Sequence, residues 1–229
     1  MPKPIFTELK QSMAKIYLIG VFLVALCATL ASVSAQATGS QGIYRLAVFG
    51  DSLSAGYQLP EEAGFPKVLE LALRKAGHRV DVINASVSGD TSTGGLARID
   101  WALNGKIDGV IVELGANDML RGIEPEKTRD ALDKIISRIK AKGAQVLLAG
   151  MIAAPGMGTH YESRFNAIYK ELAEKHQIIL MPFFLNGVAG NKKLNLPDSM
   201  HPNPEGVRLM VRNILPQVEK LIAGKNVSR

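Results

Sequence analysis

The chain has 229 residues, of which 47% are hydrophobic and 21% charged, and its formal net charge is +6 at pH 7. This length and composition are typical of one globular domain and argue against both a disordered chain and a second full domain. Lys and Arg are scattered without forming a basic stripe, so no nucleic-acid partner is predicted.

The first predicted element is a secretory signal peptide over residues 1–37. Lysines precede an apolar run at residues 16–31, and small residues follow at Ala35 and Ala37. The run is just short of the ~17 to 20 residues that span a bilayer, so a retained membrane anchor is the alternative. The small residues suit a signal peptidase and favour cleavage. We therefore expect a periplasmic or secreted protein, with no stable membrane anchor and a mature domain over residues 38–229.

Cleavage after Ala37 would remove three Lys and one Glu, which lowers the formal net charge from +6 to +4. It would also remove Cys27, the only cysteine of the chain. The mature protein would then fold in an oxidising compartment without a disulfide, and a cysteine nucleophile is excluded.

From residue 44 onward, short apolar segments rich in β-branched residues alternate with longer segments of helical periodicity. Strands are predicted over residues 44–49, 79–84, 109–114, 145–149 and 178–181. Helices are predicted over residues 65–76, 91–102, 125–142 and 161–176, with a last helix after Pro204. This alternation predicts an α/β fold with a doubly wound sheet of five parallel strands.

The loops after the strands are where such a sheet binds its ligands. They carry GDSLS at residues 50–54, SVSGDT at 86–91, GAND at 115–118 and DSMHPN at 198–203. Because the carboxyl ends of parallel strands lie at one edge of the sheet, we expect these polar residues to converge there.

Their residue types suit acyl transfer by a serine, which needs an imidazole to take the hydroxyl proton and a carboxylate to fix the imidazole tautomer. We predict Ser52 as the nucleophile, His201 as its base and Asp198 as the group that orients the base. The tetrahedral intermediate also needs donors for its oxyanion, and we expect these from the backbone N–H groups of Ser52 and Gly89 and from the Asn117 amide. A helix cap or a turn would explain each residue singly, but not their joint placement.

Other chemistries fit the sequence less well. Glu113 and Asp118 flank the end of the third strand and form a candidate acid–base pair of the glycosidase type, although buried hydrogen bonding or capping explains them more simply. No His, Cys and Asp cluster has metal-ligand spacing, so neither a metal nor another cofactor is predicted. A non-catalytic nucleotide- or phosphate-binding module is the alternative from another class, and no GxGxxG or phosphate-loop motif follows a strand.

An acyl-chain pocket is predicted from apolar residues on the loops beside this site. Its predicted members are Met119, Ile123, Ile152, Ala154, Pro155 and Phe183. Packing within the core is the alternative role for the same side chains.

The sequence resembles the SGNH or GDSL hydrolase family. The resemblance rests on four ordered blocks: GDSLSAGY at residues 50–57, NASVSGDTS at 84–92, ELGAND at 113–118 and DSMHPN at 198–203. It covers nearly the whole mature chain and is strongest to a periplasmic branch of thioesterases, arylesterases and lysophospholipases. It implies a flavodoxin-like three-layer αβα sandwich and the same five site residues.

The resemblance also implies a substrate class. The expected substrates are aryl or short to medium acyl esters, with acyl thioesters and lysophospholipids as further candidates, and the expected intermediate is an acyl-Ser52. A carbohydrate O-acetylesterase or transacetylase with the same residues is the alternative. The small, glycine-rich segment at residues 151–158 departs from the bulkier side chains common in this branch and leaves the acyl-chain preference open.

Overall fold

Five parallel strands form the centre of the fold in a computed structural model that describes residues 42–227. The strands are β1 Tyr44–Gly50, β2 Val80–Asn84, β3 Gly109–Glu113, β4 Gln145–Ala149 and β5 Ile179–Met181. They pair in the order β2-β1-β3-β4-β5, which is the flavodoxin-like order. The predicted α/β fold and its parallel sheet are confirmed.

Two inner strands, β1 and β3, show why the sheet could be predicted from the sequence. Every residue of β3 is buried, and only Arg45 of β1 is partly exposed. Strands covered on both faces carry continuous apolar runs rather than alternating ones. The apolar runs of β1 and β3 are therefore typical of inner strands, and in the structure each of the two pairs with a neighbour on both sides.

Helices cover both faces of the sheet. They are α1 Ser52–Ala55, α2 Phe65–Lys75, α3 Ser92–Ala102, α4 Ala116–Leu120, α5 Pro125–Ala141, α6 Thr159–His176 and α7 Pro204–Val227. Helix α2 packs against α7, whereas α5 packs against both α3 and α6, so the helices form two layers with the sheet between them. The five long helices were all predicted; α1 and α4 were not.

Two glycines at the carboxyl ends of β1 and β3 lie where there is no room for a side chain. A Cβ on Gly50 would collide with the Glu113 carbonyl oxygen and with the Ser54 hydroxyl. Gly115 has a φ of 122°, and a Cβ there would collide with the Tyr169 hydroxyl. Gly50 therefore lets the end of β1 lie close to the end of β3, and Gly115 lets the turn after β3 pass close to α6.

Residues 42–227 form one compact unit. The predicted signal peptide, residues 1–37, lies outside the described residues, and its cleavage site stays a prediction. Within residues 42–227, none of the helices combines the length and the apolar character that crossing a membrane requires.

Candidate active site

Ser52 is the first residue of helix α1 and follows β1 almost directly. Asp51, between them, caps the helix by accepting a hydrogen bond from the Leu53 N–H at its Oδ1, over 3.0 Å. Asp51 itself is fully buried, whereas Ser52 is half-buried and lines a cavity. The strand-to-helix turn therefore presents the Ser52 hydroxyl to the cavity. The Ser52 N–H, at the first turn of a helix, has no intrahelical acceptor.

The predicted serine, histidine and aspartate form a hydrogen-bonded chain. His201 Nε2 lies 2.9 Å from Ser52 Oγ, and His201 Nδ1 lies 2.7 Å from Asp198 Oδ2. The other oxygen of Asp198 accepts hydrogen bonds from the backbone N–H groups of Met200 and His201. These backbone donors, that of His201 first, lower the pKa of Asp198 to about 2. An Asp198 that is ionised at neutral pH favours the imidazole tautomer with its proton on Nδ1, in which the unprotonated Nε2 faces Ser52 Oγ.

Two asparagines hold the loop that carries Asp198 and His201. Asn195 is buried and donates to the carbonyl oxygens of Val188 and Asn191 over 2.8 and 2.9 Å. Asn203 precedes α7 and caps it: its Oδ1 accepts hydrogen bonds from two backbone N–H groups of the first turn, at 3.0 and 3.1 Å. An Asn directly before a Pro-led helix is a recognisable N-cap, but the fold of the preceding loop has no comparable pattern.

Tyr57 packs against the imidazole. Its ring centroid lies 4.3 Å from that of His201, with 34° between the ring planes. The contact restricts rotation of the imidazole away from Ser52. Tyr57 belongs to the GDSLSAGY block, yet nothing in its spacing indicates which ring it contacts.

The three predicted oxyanion donors line the same cavity as His201. Gly89 has a φ of 84°, a conformation that favours glycine, and its carbonyl oxygen accepts from the Arg121 guanidinium at 2.8 Å. Asn117 lies in the short helix α4, and its side-chain amide donates to Asp51 Oδ2 at 3.0 Å.

Arg98 ties together the loops that follow β1 and β2. Its guanidinium pairs with Asp90 at 2.5 Å and donates to the carbonyl oxygens of Ala85 and Gly50 at 2.7 and 3.2 Å. It also lies over the ring of Phe49, 4.2 Å from the centroid. These contacts fix the loop that carries Gly89 relative to the start of α1.

Glu113 and Asp118 do not line the cavity, so they do not flank a substrate as a glycosidase pair would. Asp118 is buried and accepts from the Ser92 N–H and hydroxyl and from the Thr128 hydroxyl, which joins α3, α4 and α5. Glu113 Oε2 accepts from the Asp51 N–H at 3.3 Å and contacts the Ser54 hydroxyl at 2.7 Å. Burial, followed by the Asp51 charge, raises the pKa of Glu113 well above its ordinary value.

Replacing Glu113 with glutamine should flatten the dependence of stability on pH. The Glu113 pKa is raised on folding, so its contribution to stability is complete below the ordinary pKa of 4.5 and is lost as pH rises through the folded value. We expect the melting temperature of the wild type to fall more between pH 5 and pH 8 than that of Glu113→Gln. Asp51, whose pKa burial raises to about 6, adds to the slope in both proteins. Equal slopes would contradict the buried-acid assignment.

The cavity has a volume of about 770 Å³ and is lined mainly by apolar side chains. Five of the six predicted pocket residues line it, namely Met119, Ile152, Ala154, Pro155 and Phe183. Ile123 is not in the lining; it follows the end of α4, and its carbonyl oxygen accepts from the Tyr161 hydroxyl at 2.9 Å. Leu120, which lies in the same predicted stretch as Met119, is also in the lining. Tyr57, Met151, Leu185 and Met200 line the cavity as well and were not predicted for it.

Among the described residues, no group of three or more His, Cys, Asp or Glu side chains is arranged to hold a metal ion. The polar side chains that line the cavity are instead those of Ser52, Ser88, Ser199, Tyr57, Asn117 and His201. A doubly wound sheet that carries a hydrogen-bonded Ser–His–Asp chain at the carboxyl ends of its strands is an arrangement typical of serine hydrolases.

Residues 48–209 match the GDSL-like lipase/acylhydrolase family. The chain belongs to this family and is an enzyme of the GDSL hydrolase type. An arylesterase from Vibrio mimicus is 46% identical over 72% of this chain and 84% of its own length. Thioesterase 1/protease 1/lysophospholipase L1 from Escherichia coli (strain K12) is 36% identical over 77% of this chain and 84% of its own.

Solved structures show the same fold. The crystal structure of TesA superposes with a TM-score of 0.74 at 37% identity, covering 77% of this chain and 99% of that one. The crystal structure of AlinE4, an SGNH-hydrolase family esterase, superposes with a TM-score of 0.66 at 41% identity, covering 78% and 96%. The predicted SGNH hydrolase fold is thereby confirmed.

Proposed function

We propose that this protein is an exported serine esterase in which Ser52 is the nucleophile, His201 its base and Asp198 the group that orients the base. The observation that carries the proposal is the continuous chain from Asp198 Oδ2 through the imidazole to Ser52 Oγ, with contacts of 2.7 and 2.9 Å. It ends at a cavity large enough for an acyl group.

The reaction proceeds in two steps. The Ser52 hydroxyl oxygen attacks the ester carbonyl carbon while its proton passes to His201 Nε2, and the N–H groups of Ser52, Gly89 and Asn117 stabilise the oxyanion. His201 then gives the proton to the departing alcohol, which leaves an acyl-Ser52. Water, deprotonated by the same imidazole, attacks the acyl carbon; the bond between that carbon and Ser52 Oγ then breaks, the imidazole returns the proton to Oγ, and the acid is released. No step requires a cofactor.

The cavity lining supports acyl esters as substrates. Apolar side chains dominate it, and an alkyl chain gains about 0.8 kcal/mol for each CH₂ that it buries. The names of the relatives agree with this class, since they include an arylesterase and a thioesterase/lysophospholipase. We propose aryl and short to medium acyl esters as the main substrates, with acyl thioesters and lysophospholipids as further ones.

Export to the periplasm or beyond the cell is part of the proposal. It rests on the lysines, the apolar run and the small residues of residues 1–37. Acyl-CoA is a cytoplasmic metabolite, so an exported enzyme would rarely encounter it as a thioester substrate.

A substrate panel tests the proposed class. Purified mature protein is assayed with p-nitrophenyl acetate, butyrate and octanoate, an acyl thioester, a lysophospholipid and an acetylated glycan. We expect the highest kcat/KM among the aryl esters and little release of acetate from the glycan. Glycan deacetylation that exceeds hydrolysis of every aryl ester would favour the carbohydrate O-acetylesterase instead.

Enlarging Ala154 tests the acyl pocket. Ala154 is half-buried in the lining, and its N–H lies 2.9 Å from the Met119 sulfur, so Ala154→Leu would narrow the cavity beside α4. We expect kcat/KM for the octanoate ester to fall about 10-fold relative to the acetate ester, because overpacking costs about 1 to 3 kcal/mol. Ala189 also lines the cavity but is solvent-exposed, and Ala189→Ser, which adds a single oxygen atom, is the control. An unchanged chain-length profile in Ala154→Leu would remove this loop from the pocket.

A further inference from the structure

The Asp51 carboxylate has one oxygen more than its capping role requires. Oδ1 accepts from the Leu53 N–H, which is the whole of the helix cap. Oδ2 accepts from the Asn117 side-chain amide, at 3.0 Å, across 66 residues of sequence. Asparagine or serine would cap the helix as well as aspartate does, so the cap alone does not explain a buried carboxylate.

The second contact selects one orientation of the Asn117 amide. A carboxylate only accepts hydrogen bonds, so the amide nitrogen, and not its oxygen, must face Asp51. One N–H is then used by Asp51, and the other is left for a ligand in the cavity that Asn117 lines. In the reversed orientation, an amide oxygen would repel both Asp51 and an oxyanion.

The groups around Asp51 are consistent with Asp51 carrying the charge and Glu113 being neutral. Glu113 Oε2 lies 2.7 Å from Ser54 Oγ, Ser54 Oγ lies 2.9 Å from Ser86 Oγ, and Ser86 donates to the Val48 carbonyl oxygen over 3.1 Å. These three contacts need three protons, and a protonated Glu113 supplies the one that the two serines lack. Each hydroxyl in this chain then has both an acceptor and a donor. Burial raises the pKa of Asp51 to about 6, which still leaves it ionised at pH 8.

We propose that Asp51 is the positioning residue for the oxyanion donor Asn117, holding its amide nitrogen toward the reacting carbonyl. Asp51 touches no substrate, because it is fully buried and lies outside the cavity lining. This inference rests on the proposed function and assigns Asp51 a role beyond capping α1.

A double-mutant cycle tests the role. Asn117→Ala removes the donor and should lower kcat about 10²-fold. Asp51→Asn keeps the size and the capping oxygen, but it presents an N–H₂ to Asn117 and favours the reversed amide. It should therefore also lower kcat about 10²-fold at pH 8, with little change in KM. If Asp51 acts through Asn117, the double variant should again lose about 10²-fold, whereas independent effects would multiply to about 10⁴-fold.

The Ki of an alkylboronic acid inhibitor is a measurement that should not change if Asp51 contributes only to folding. An alkylboronic acid forms a tetrahedral adduct whose oxygen occupies the oxyanion position, so its Ki should rise in Asp51→Asn in parallel with the loss of kcat. Asp108→Asn is the matched control: Asp108 is also a buried aspartate accepting from a backbone N–H, but it precedes β3 at the opposite edge of the sheet. We expect this control to keep kcat within about threefold of the wild type, as expected for a site that does not contact the reaction centre.

Three results would overturn the inference. The first is a double variant whose loss of kcat equals the product of the two single losses. The second is an Asp51→Asn enzyme with nearly normal kcat, and the third is an Asp51→Asn enzyme with a lowered kcat but an unchanged boronate Ki. Each leaves the proposed function standing, provided that Asn117→Ala is impaired. Full activity in Ser52→Ala would instead remove the proposed function itself.

Discussion

Replacing Ser52 with alanine is expected to lower kcat for p-nitrophenyl butyrate by about 10⁵- to 10⁶-fold, with residual turnover from the remaining groups of the site. The reason is that Ser52 Oγ is the atom that becomes acylated, and its 2.9 Å contact with His201 Nε2 supplies the route for its proton. Ser52 is only half-buried, so the loss of one hydroxyl should leave the melting temperature nearly unchanged. Steady-state assays and thermal unfolding of the same preparation measure both quantities.

A serine on the protein surface, Ser163, provides the control for Ser52→Ala. Ser163, on α6, is exposed, and its hydroxyl donates only to the His160 carbonyl oxygen. Ser163→Ala should keep full activity. An Ser52→Ala enzyme that retained more than a hundredth of wild-type kcat would remove Ser52 as the nucleophile.

Replacing His201 with alanine is expected to cost nearly as much, about 10⁴- to 10⁶-fold in kcat, because the triad acts as a unit. Without the imidazole, the Ser52 hydroxyl has no base at 2.9 Å, and the leaving alcohol has no proton donor. KM should change far less than kcat, since His201 is only one of many residues in the lining. The kcat and KM values for one aryl ester across pH 6 to 9 are the measurement.

The chain offers a matched histidine for this experiment. His176 Nε2 lies 2.6 Å from Asp133 Oδ1, so it is also a carboxylate-paired histidine, but it ends helix α6 and contacts no serine. His176→Ala should keep kcat while lowering stability modestly. If the two histidine variants lost similar activity, the loss would come from structure and not from a proton relay.

The fold was predictable because its rules act locally. Continuous apolar runs in β1 and β3 and helical periodicity in the long helices were enough to define a doubly wound sheet. Helices α1 and α4 were missed because they have four and five residues, too few to show a period. Each begins shortly after a strand, where contacts within the site determine the backbone conformation.

The position of the site was predictable for a topological reason, and its fine structure was not. Parallel strands bring their carboxyl ends to one edge, so Ser52, Asn117 and His201 could be expected to meet. The packing of Tyr57 against His201 depends on side-chain rotamers, and so does the hydrogen bond between Asn117 and Asp51. Sequence spacing does not fix these. Ile123 shows the same limit: it was predicted to line the pocket because it is apolar, but in the structure it does not line the cavity.

Labelling with a fluorophosphonate tests the central claim most directly, because the reagent phosphonylates a serine only when a base activates it and an oxyanion site holds the adduct. Digestion and mass spectrometry locate the modified residue. We predict one adduct per chain, on the peptide that contains Ser52, and greatly slowed labelling in His201→Ala. An adduct on another residue, or none while ester hydrolysis continues at its normal rate, would contradict the account.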